Sequence, residues 1–190
     1  SARARTTSVI ARSVADDRRR WLASHCRTPQ GRVRLNDPVA EIRRTRTIAA
    51  DPQTIWDVLA DFGAVSFWAD FVDHSCLLEH GAAGSMIGTS RRVQLGRSTL
   101  VERITDFDPP HTLAYDIEGL PPPLVRHLRS RWTLRPIARG LTEVTLTNAV
   151  TIGTNPVQRL AERAFGRGGS VTRLDQLLDG LAKQLEAQHV

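Results

Sequence analysis

The order of elements in the chain predicts an α+β protein in which a seven-stranded antiparallel sheet wraps around a long C-terminal helix, with two short helices after the first strand. Three observations predict it. A strand-like segment runs directly into the amphipathic stretch DPQTIWDVLADFGAVSFWADF, residues 51–71. Six further strand-like segments follow with only short turns between them, and parallel strands would need much longer crossovers. A leucine stripe at helical spacing then closes the chain. A strongly twisted sheet around one long helix can leave space between them, closed at one end by the short helices.

The first strand spans Glu41 to Ile48. Asp51 is the expected N-cap of the next element, Pro52 suits the first helical position, and Ile55, Val58, Leu59 and Phe62 share one face. Gly63 offers a stop, after which Val65, Phe67, Trp68 and Phe71 are expected to pack as a second small helix. The later strands are expected at Val72 to Glu79, Met86 to Leu95, Ser98 to Phe107, Thr112 to Ile117, Leu128 to Pro136 and Glu143 to Ile152. Gly81 to Gly84, Gly96, Asp108-Pro109-Pro110, Gly119 to Pro123 and Arg139-Gly140 punctuate them as turns. The last helix is expected to start at Asn155-Pro156, to break near Gly166, Gly168 and Gly169, and to bury Leu174, Leu177, Leu178, Leu181 and Leu185.

Charge divides the chain into a basic N-terminal extension, residues 1–38, and a body, residues 39–190. Residues 1–40 hold nine Arg against three Asp, whereas residues 41–190 balance seventeen basic against seventeen acidic side chains. The net charge of +6 therefore belongs to the extension. Arg18, Arg19 and Arg20 beside Trp21 and Leu22 suit peripheral contact with an anionic membrane, or a sparse helical stripe of Ile10, Val14 and Trp21 that packs back on the body. No base-stacking array accompanies the arginines, so no nucleic acid is expected as a partner. No apolar run is long enough to span a membrane, and the start lacks a secretory block, so a soluble cytoplasmic protein is expected. Cys26 and Cys76 do not make a disulfide framework. The sequence is silent on oligomeric state.

Local phrases add a resemblance. Ala50-Asp51-Pro52 with Ile55-Trp56 and Leu59-Ala60-Asp61-Phe62, then Val101-Glu102-Arg103-Ile104 with Asp106 to Asp108, and finally Leu113-Ala114-Tyr115, resemble the START-like (SRPBCC), helix-grip superfamily. This superfamily includes Bet v 1, plant abscisic-acid receptors and bacterial polyketide cyclase/dehydrase proteins. The resemblance spans residues 39 to 188 and implies a sheet gripping the C-terminal helix around an apolar cavity. Its members include binders, transporters, receptors and enzymes, so it implies no single chemistry.

Strand alternation places side chains relative to that implied cavity. Leu100, Glu102 and Ile104 share a face, and a carboxylate between two apolar residues needs a partner if it is buried. Arg91, in register with Thr89 and Val93, is the leading candidate. The alternatives are a structural ion pair near the sheet edge, or Glu102 turned outward to Arg92, Arg97 or Arg103. By the resemblance Glu102 faces the ligand and His74 is a pocket position. Tyr115 is placed to offer a hydroxyl, as ligand donor or general acid. Leu128, Ser130 and Trp132 form the inward face of a strand whose other face carries Arg129, Arg131 and Arg135, and Trp68 belongs to the aromatic lid. His74, Cys76 and His80 share a face if their strand is unbroken, but three such residues along one strand do not close a compact metal site, and no metal or cofactor is expected.

The leading expectation is therefore binding of a hydrophobic, lipid-like or polyketide-like small molecule. One alternative is a cyclase, aromatase or dehydratase using Arg91, Glu102, Tyr115 or His74. The other is a lipid carrier that docks on membranes through its basic extension.

Overall fold

The computed structural model describes residues 39–119, 127–151 and 168–188. The extension 1–38, the helix start at Asn155-Pro156 and the break at Gly166 lie outside these. The strands are β1 (Val39–Ile48), β2 (His74–Glu79), β3 (Ser90–Leu95), β4 (Ser98–Asp108), β5 (Thr112–Glu118), β6 (His127–Ala138) and β7 (Leu141–Thr151). The helices are α1 (Pro52–Ala60) and α2 (Gly168–Gln188), with a 3-10 turn at Phe62–Phe67. The seven strands form one antiparallel sheet in the order β1-β7-β6-β5-β4-β3-β2. Both edges are thus strands that flank α1 in sequence, while β3 to β7 run as hairpins, each pairing with the next.

Asp51 does not cap α1 with its side chain. Its Oδ1 instead accepts from the backbone N–H of Gly140, 3.1 Å away, so it ties the start of α1 to the β6–β7 turn. Only its carbonyl serves the helix, accepting from Ile55 N at 3.2 Å. Ile55, Trp56 and Leu59 are buried, and Trp56 meets Phe107 of β4 edge to face at 4.9 Å.

The aromatic segment after α1 is a 3-10 turn rather than a second α-helix. Three residues per turn bring Val65 and Trp68 to one side, and both are buried. Phe67 falls off that side and is 83% exposed, contrary to the expectation that it packs inward. Ser75 of β2 holds the turn: its hydroxyl donates to Gly63 O at 2.6 Å and accepts from Ser66 N at 3.1 Å.

α2 buries Leu174, Leu178, Leu181, Ala182 and Leu185, with Leu177 partly covered. Each fully buried leucine contributes roughly 1.5–3 kcal/mol relative to exposure. Gly180 permits the closest approach, because a Cβ built there lies 2.2 Å from the carbonyl oxygen of Trp68. On its flank α2 is pinned to β1 by Arg44 with Asp175 and by Arg46 with Asp179. Two acids four residues apart on a helix thus meet two arginines two residues apart on a strand.

Candidate functional site

Register decides what meets what. The β3–β4 hairpin closes on Gly96 and Arg97, and its ladder sets Arg91 directly opposite Glu102. Directly opposed residues in an antiparallel pair share a face, here the one that packs against the helices. From that row the inner face continues through Ile117 and Leu128; the next runs through Ile104, Tyr115, Ser130 and Asn148, and the next through Leu113, Trp132 and Leu146. Glu102 is therefore paired inward with Arg91, and Arg92, Arg97 and Arg103 have no share in it. Arg103 lies on the outer face with Glu79.

The pair is deeply buried, with Arg91 5% and Glu102 7% exposed. Arg91 Nε donates to Glu102 Oε2 at 2.6 Å, and Nη2 lies 2.6 Å from the same oxygen. Nη1 donates to the backbone oxygen of Phe62 at 2.6 Å. The guanidinium also lies 4.0 Å from the Phe62 ring centre and 5.2 Å from that of Tyr115. One side chain thus links β3, β4 and the 3-10 turn through charge-assisted hydrogen bonds and ring faces. Glu102 Oε1 has no partner among the described residues, and of the five guanidinium N–H donors two remain uncommitted.

Tyr115 is 3% exposed and packs edge to face on Phe62 at 5.5 Å. Its hydroxyl accepts from Trp132 Nε1 at 3.4 Å. Burial pushes its pKa up to about 12, the Glu102 carboxylate adds to the rise, and Arg91, Trp132 and Ser130 oppose it. At neutral pH the hydroxyl therefore keeps its proton and acts as a donor, not as a base. Ser130 donates to Asn148 Oδ1 at 2.7 Å. Asn148 was not singled out in the sequence, although it repeats the signal of Glu102: a polar residue in the apolar alternation Val144, Leu146, Asn148, Val150. The Phe62 carbonyl carried no side-chain signal at all.

The other expected residues divide. Val93, Ile104 and Trp132 are buried on the inner face, and Leu100 and Leu128 are half-buried there. Trp68 is buried against Trp132, ring centres 6.3 Å apart and nearly perpendicular, and its Nε1 has no partner among the described residues. Thr89 is buried, but its hydroxyl accepts from Gly81 N at 2.9 Å and so fastens the β2–β3 connection. His74 is exposed and opposes Gln94, which puts it on the outer face, away from Arg91. The pocket position comes from the resemblance, which carries no register: in β2, Ser75 and Leu77 are the residues aligned with Val93 and Arg91. His80 lies beyond β2, and a bulge at Leu78 breaks the alternation, so the three-residue face of His74, Cys76 and His80 does not form.

Two concavities lie among the described residues away from this cluster. A groove of about 310 Å³ on the outer face has Thr133, Thr145 and Thr147 in its floor and Arg43, Arg129 and Arg131 at its rim. A cleft of about 180 Å³ separates Arg46 to Ala49 from Ala182, Leu185 and Glu186 of α2. Arg129 and Arg131 are held by Asp116 and Asp106, which neutralises much of the groove's charge.

Among solved structures, the Zhui aromatase/cyclase from Streptomyces sp. R1128 superposes with a TM-score of 0.67 at 19% identity, covering 80% of this chain and 97% of that one. Norcoclaurine synthase from Thalictrum flavum gives 0.65 at 14% identity, covering 83% and 100%. A START superfamily protein from Mycobacterium smegmatis gives 0.58 at 16% identity, covering 78% and 98%. At such identities the likeness shows a shared START/Bet v 1-like, helix-grip fold. No curated protein matches the sequence significantly. The family model described as polyketide cyclase / dehydrase and lipid transport matches residues 39–186, nearly the whole body, and the chain belongs to that family.

Proposed function

We propose that the protein binds a hydrophobic, lipid-like or polyketide-like small molecule between the sheet and α2, and that Arg91, Glu102 and Tyr115 orient it. The observation that carries this reading is the ion pair buried in an otherwise apolar interior, with hydrogen-bonding capacity on both partners that no described residue takes up. Apolar walls supply the binding free energy through burial, and the few polar groups select the orientation. Val93, Leu100, Ile104, Leu128, Trp132 and Trp68 are the apolar contacts; Ser130, already engaged with Asn148, is a secondary polar one. The family's description and the aromatase/cyclase neighbour support this class of ligand. The test is native mass spectrometry of protein purified gently from its host, followed by extraction and identification of what is bound. A stoichiometric apolar compound is the expected result. Empty protein that also ignores apolar fluorescent probes overturns the reading.

A cyclase or dehydratase is the second reading, favoured by the grouping of a cation, a carboxylate and a protonated phenol. In it Arg91 stabilises an enolate oxygen, Glu102 accepts a proton and Tyr115 donates one. His74 has no part in it, since it lies on the other face. Once a ligand is known, Glu102→Gln separates the two readings: turnover lost with affinity retained means catalysis, and affinity lost alone means recognition.

A further inference from the structure

The sheet has two edges, and among the described residues only one is guarded. β1 carries Glu41, Arg43, Arg44 and Arg46, charges that make pairing with a foreign strand costly, and α2 engages two of them. β2, at the other edge, reads His-Ser-Cys-Leu-Leu-Glu, with no Lys, Arg or Pro. Leu77 and Leu78 are 42% and 50% exposed. Phe67 stands beside the same seam, because its neighbour Ser66 is hydrogen-bonded to Ser75 at 2.9 Å. Exposed apolar side chains along an unpaired strand edge are a template for another strand.

We propose that β2 pairs antiparallel with β2 of a second copy of the chain, joining two sheets into one across a two-fold axis at Cys76. The register follows from the faces. About a two-fold axis normal to the sheet, opposed residues must point to the same side. The ladder with β3 puts Ser75 and Leu77 on the inner side, and His74 and Cys76 on the outer side. The bulge at Leu78 then returns Glu79 to the outer side, opposite Ser90. Centred on Cys76, the pairing sets Cys76 against itself, Ser75 against Leu77 and, past the bulge, His74 against Glu79. Each match is of one face, and the outermost is a cation-forming side chain against a carboxylate at both ends of the seam. Centring on Ser75 leaves Leu77 and Glu79 without partners, and centring on Leu77, with the bulge counted in the same way, sets Cys76 against Glu79 and leaves His74 and Ser75 without partners within β2. The effect of the bulge is to set Glu79 rather than Leu78 opposite His74.

The test uses the full chain with Cys26→Ser, so that Cys76 is the sole thiol. Directly opposed residues lie about 4.5–5.5 Å apart at Cα, within disulfide reach. Diamide, which takes up two electrons and two protons as two thiols become a disulfide, is expected to yield a linked dimer that dithiothreitol reverses. Sedimentation equilibrium without oxidant is expected to give twice the 21.1 kDa chain mass. Phe67→Ser with Leu78→Lys, both at exposed side chains, is expected to weaken association about tenfold or more with an unchanged circular dichroism spectrum. A monomer throughout the concentration series overturns the proposal. So does a dimer that Cys76 fails to link, or one that survives the double substitution, since it uses another surface.

Discussion

Tyr115 is the single tyrosine of the chain, so its ionisation can be followed without ambiguity. Burial and the nearby Glu102 carboxylate hold its pKa at about 12, against 10.0 for a free side chain. At 1.36 kcal/mol per unit the rise corresponds to roughly 3 kcal/mol. The sign follows from proton counting. Below pH 10 both folded and unfolded chains keep the phenolic proton, and the group's contribution is fully present. Between about 10 and 12 only the unfolded chain loses it, so stability falls by about 1.4 kcal/mol per pH unit, and above about 12 the loss is complete. The assay is the near-ultraviolet absorbance of tyrosinate after rapid pH jumps, read before unfolding, alongside a titration in denaturant. A midpoint near 12 is expected for the folded chain and near 10 for the unfolded one. Denaturant unfolding of Tyr115→Phe is expected to lack this alkaline loss, so the stability difference between the two proteins changes by roughly 3 kcal/mol across that window. Glu102→Gln lowers the folded midpoint and Arg91→Leu raises it. A folded midpoint near 10 refutes the reasoning, because it places the hydroxyl in water and leaves the interior without a sealed polar corner.

Arg91→Ala strands Glu102 in an apolar interior and is expected to cost about 3–5 kcal/mol in denaturant unfolding, far more than Arg92→Ala on the outer face. Gly180→Ala forces a Cβ against the Trp68 carbonyl, so α2 must shift; a loss of about 1–3 kcal/mol is expected in thermal or denaturant unfolding, against the small gain an exposed helical glycine would give. Asp51→Asn keeps an acceptor for Gly140 N–H and is expected to hold stability within about 0.5 kcal/mol, whereas Asp51→Ala removes the acceptor and costs about 1 kcal/mol, with no change in helix content by circular dichroism.

Much of this architecture is legible because it rests on periodicity. Leu128, Ser130 and Trp132 alternate with Arg129 and Arg131, and the leucine stripe of α2 repeats at helical spacing; both patterns survive small errors in where an element starts. The site depends on register, which no period encodes. Arg91 rather than Arg92 faces inward because the turn at Gly96 and Arg97 sets Leu95 against Ser98 and counts back from there. His74 is given to the pocket by the resemblance alone, and only the register of β2 on β3, which sets it opposite Gln94, assigns it to the outer face. Phe67 shows the same weakness in a helix: a period of 3.6 brings it in, a period of 3.0 turns it out. The Phe62 carbonyl and the Asp51 contact with Gly140 are invisible for a further reason, since each joins residues remote in sequence through a backbone group.

The buried pair itself bears on function through what stability alone does not require. Two charges taken from water lose several kcal/mol of hydration each, and hydrophobic residues of similar volume often hold a fold as well or better. Arg91→Met with Glu102→Leu is accordingly expected to fold with near-native stability, even though Arg91→Ala does not. What the apolar pair cannot supply are the guanidinium donors and the Glu102 oxygen that no described residue engages, and the hold on the Phe62 carbonyl that fixes the 3-10 turn over Tyr115. If those groups orient a bound molecule, the double variant keeps its fold and loses affinity or regiochemistry. If it keeps both, the ions serve only to fix the register of β3 on β4, and recognition rests on the shape of the apolar walls.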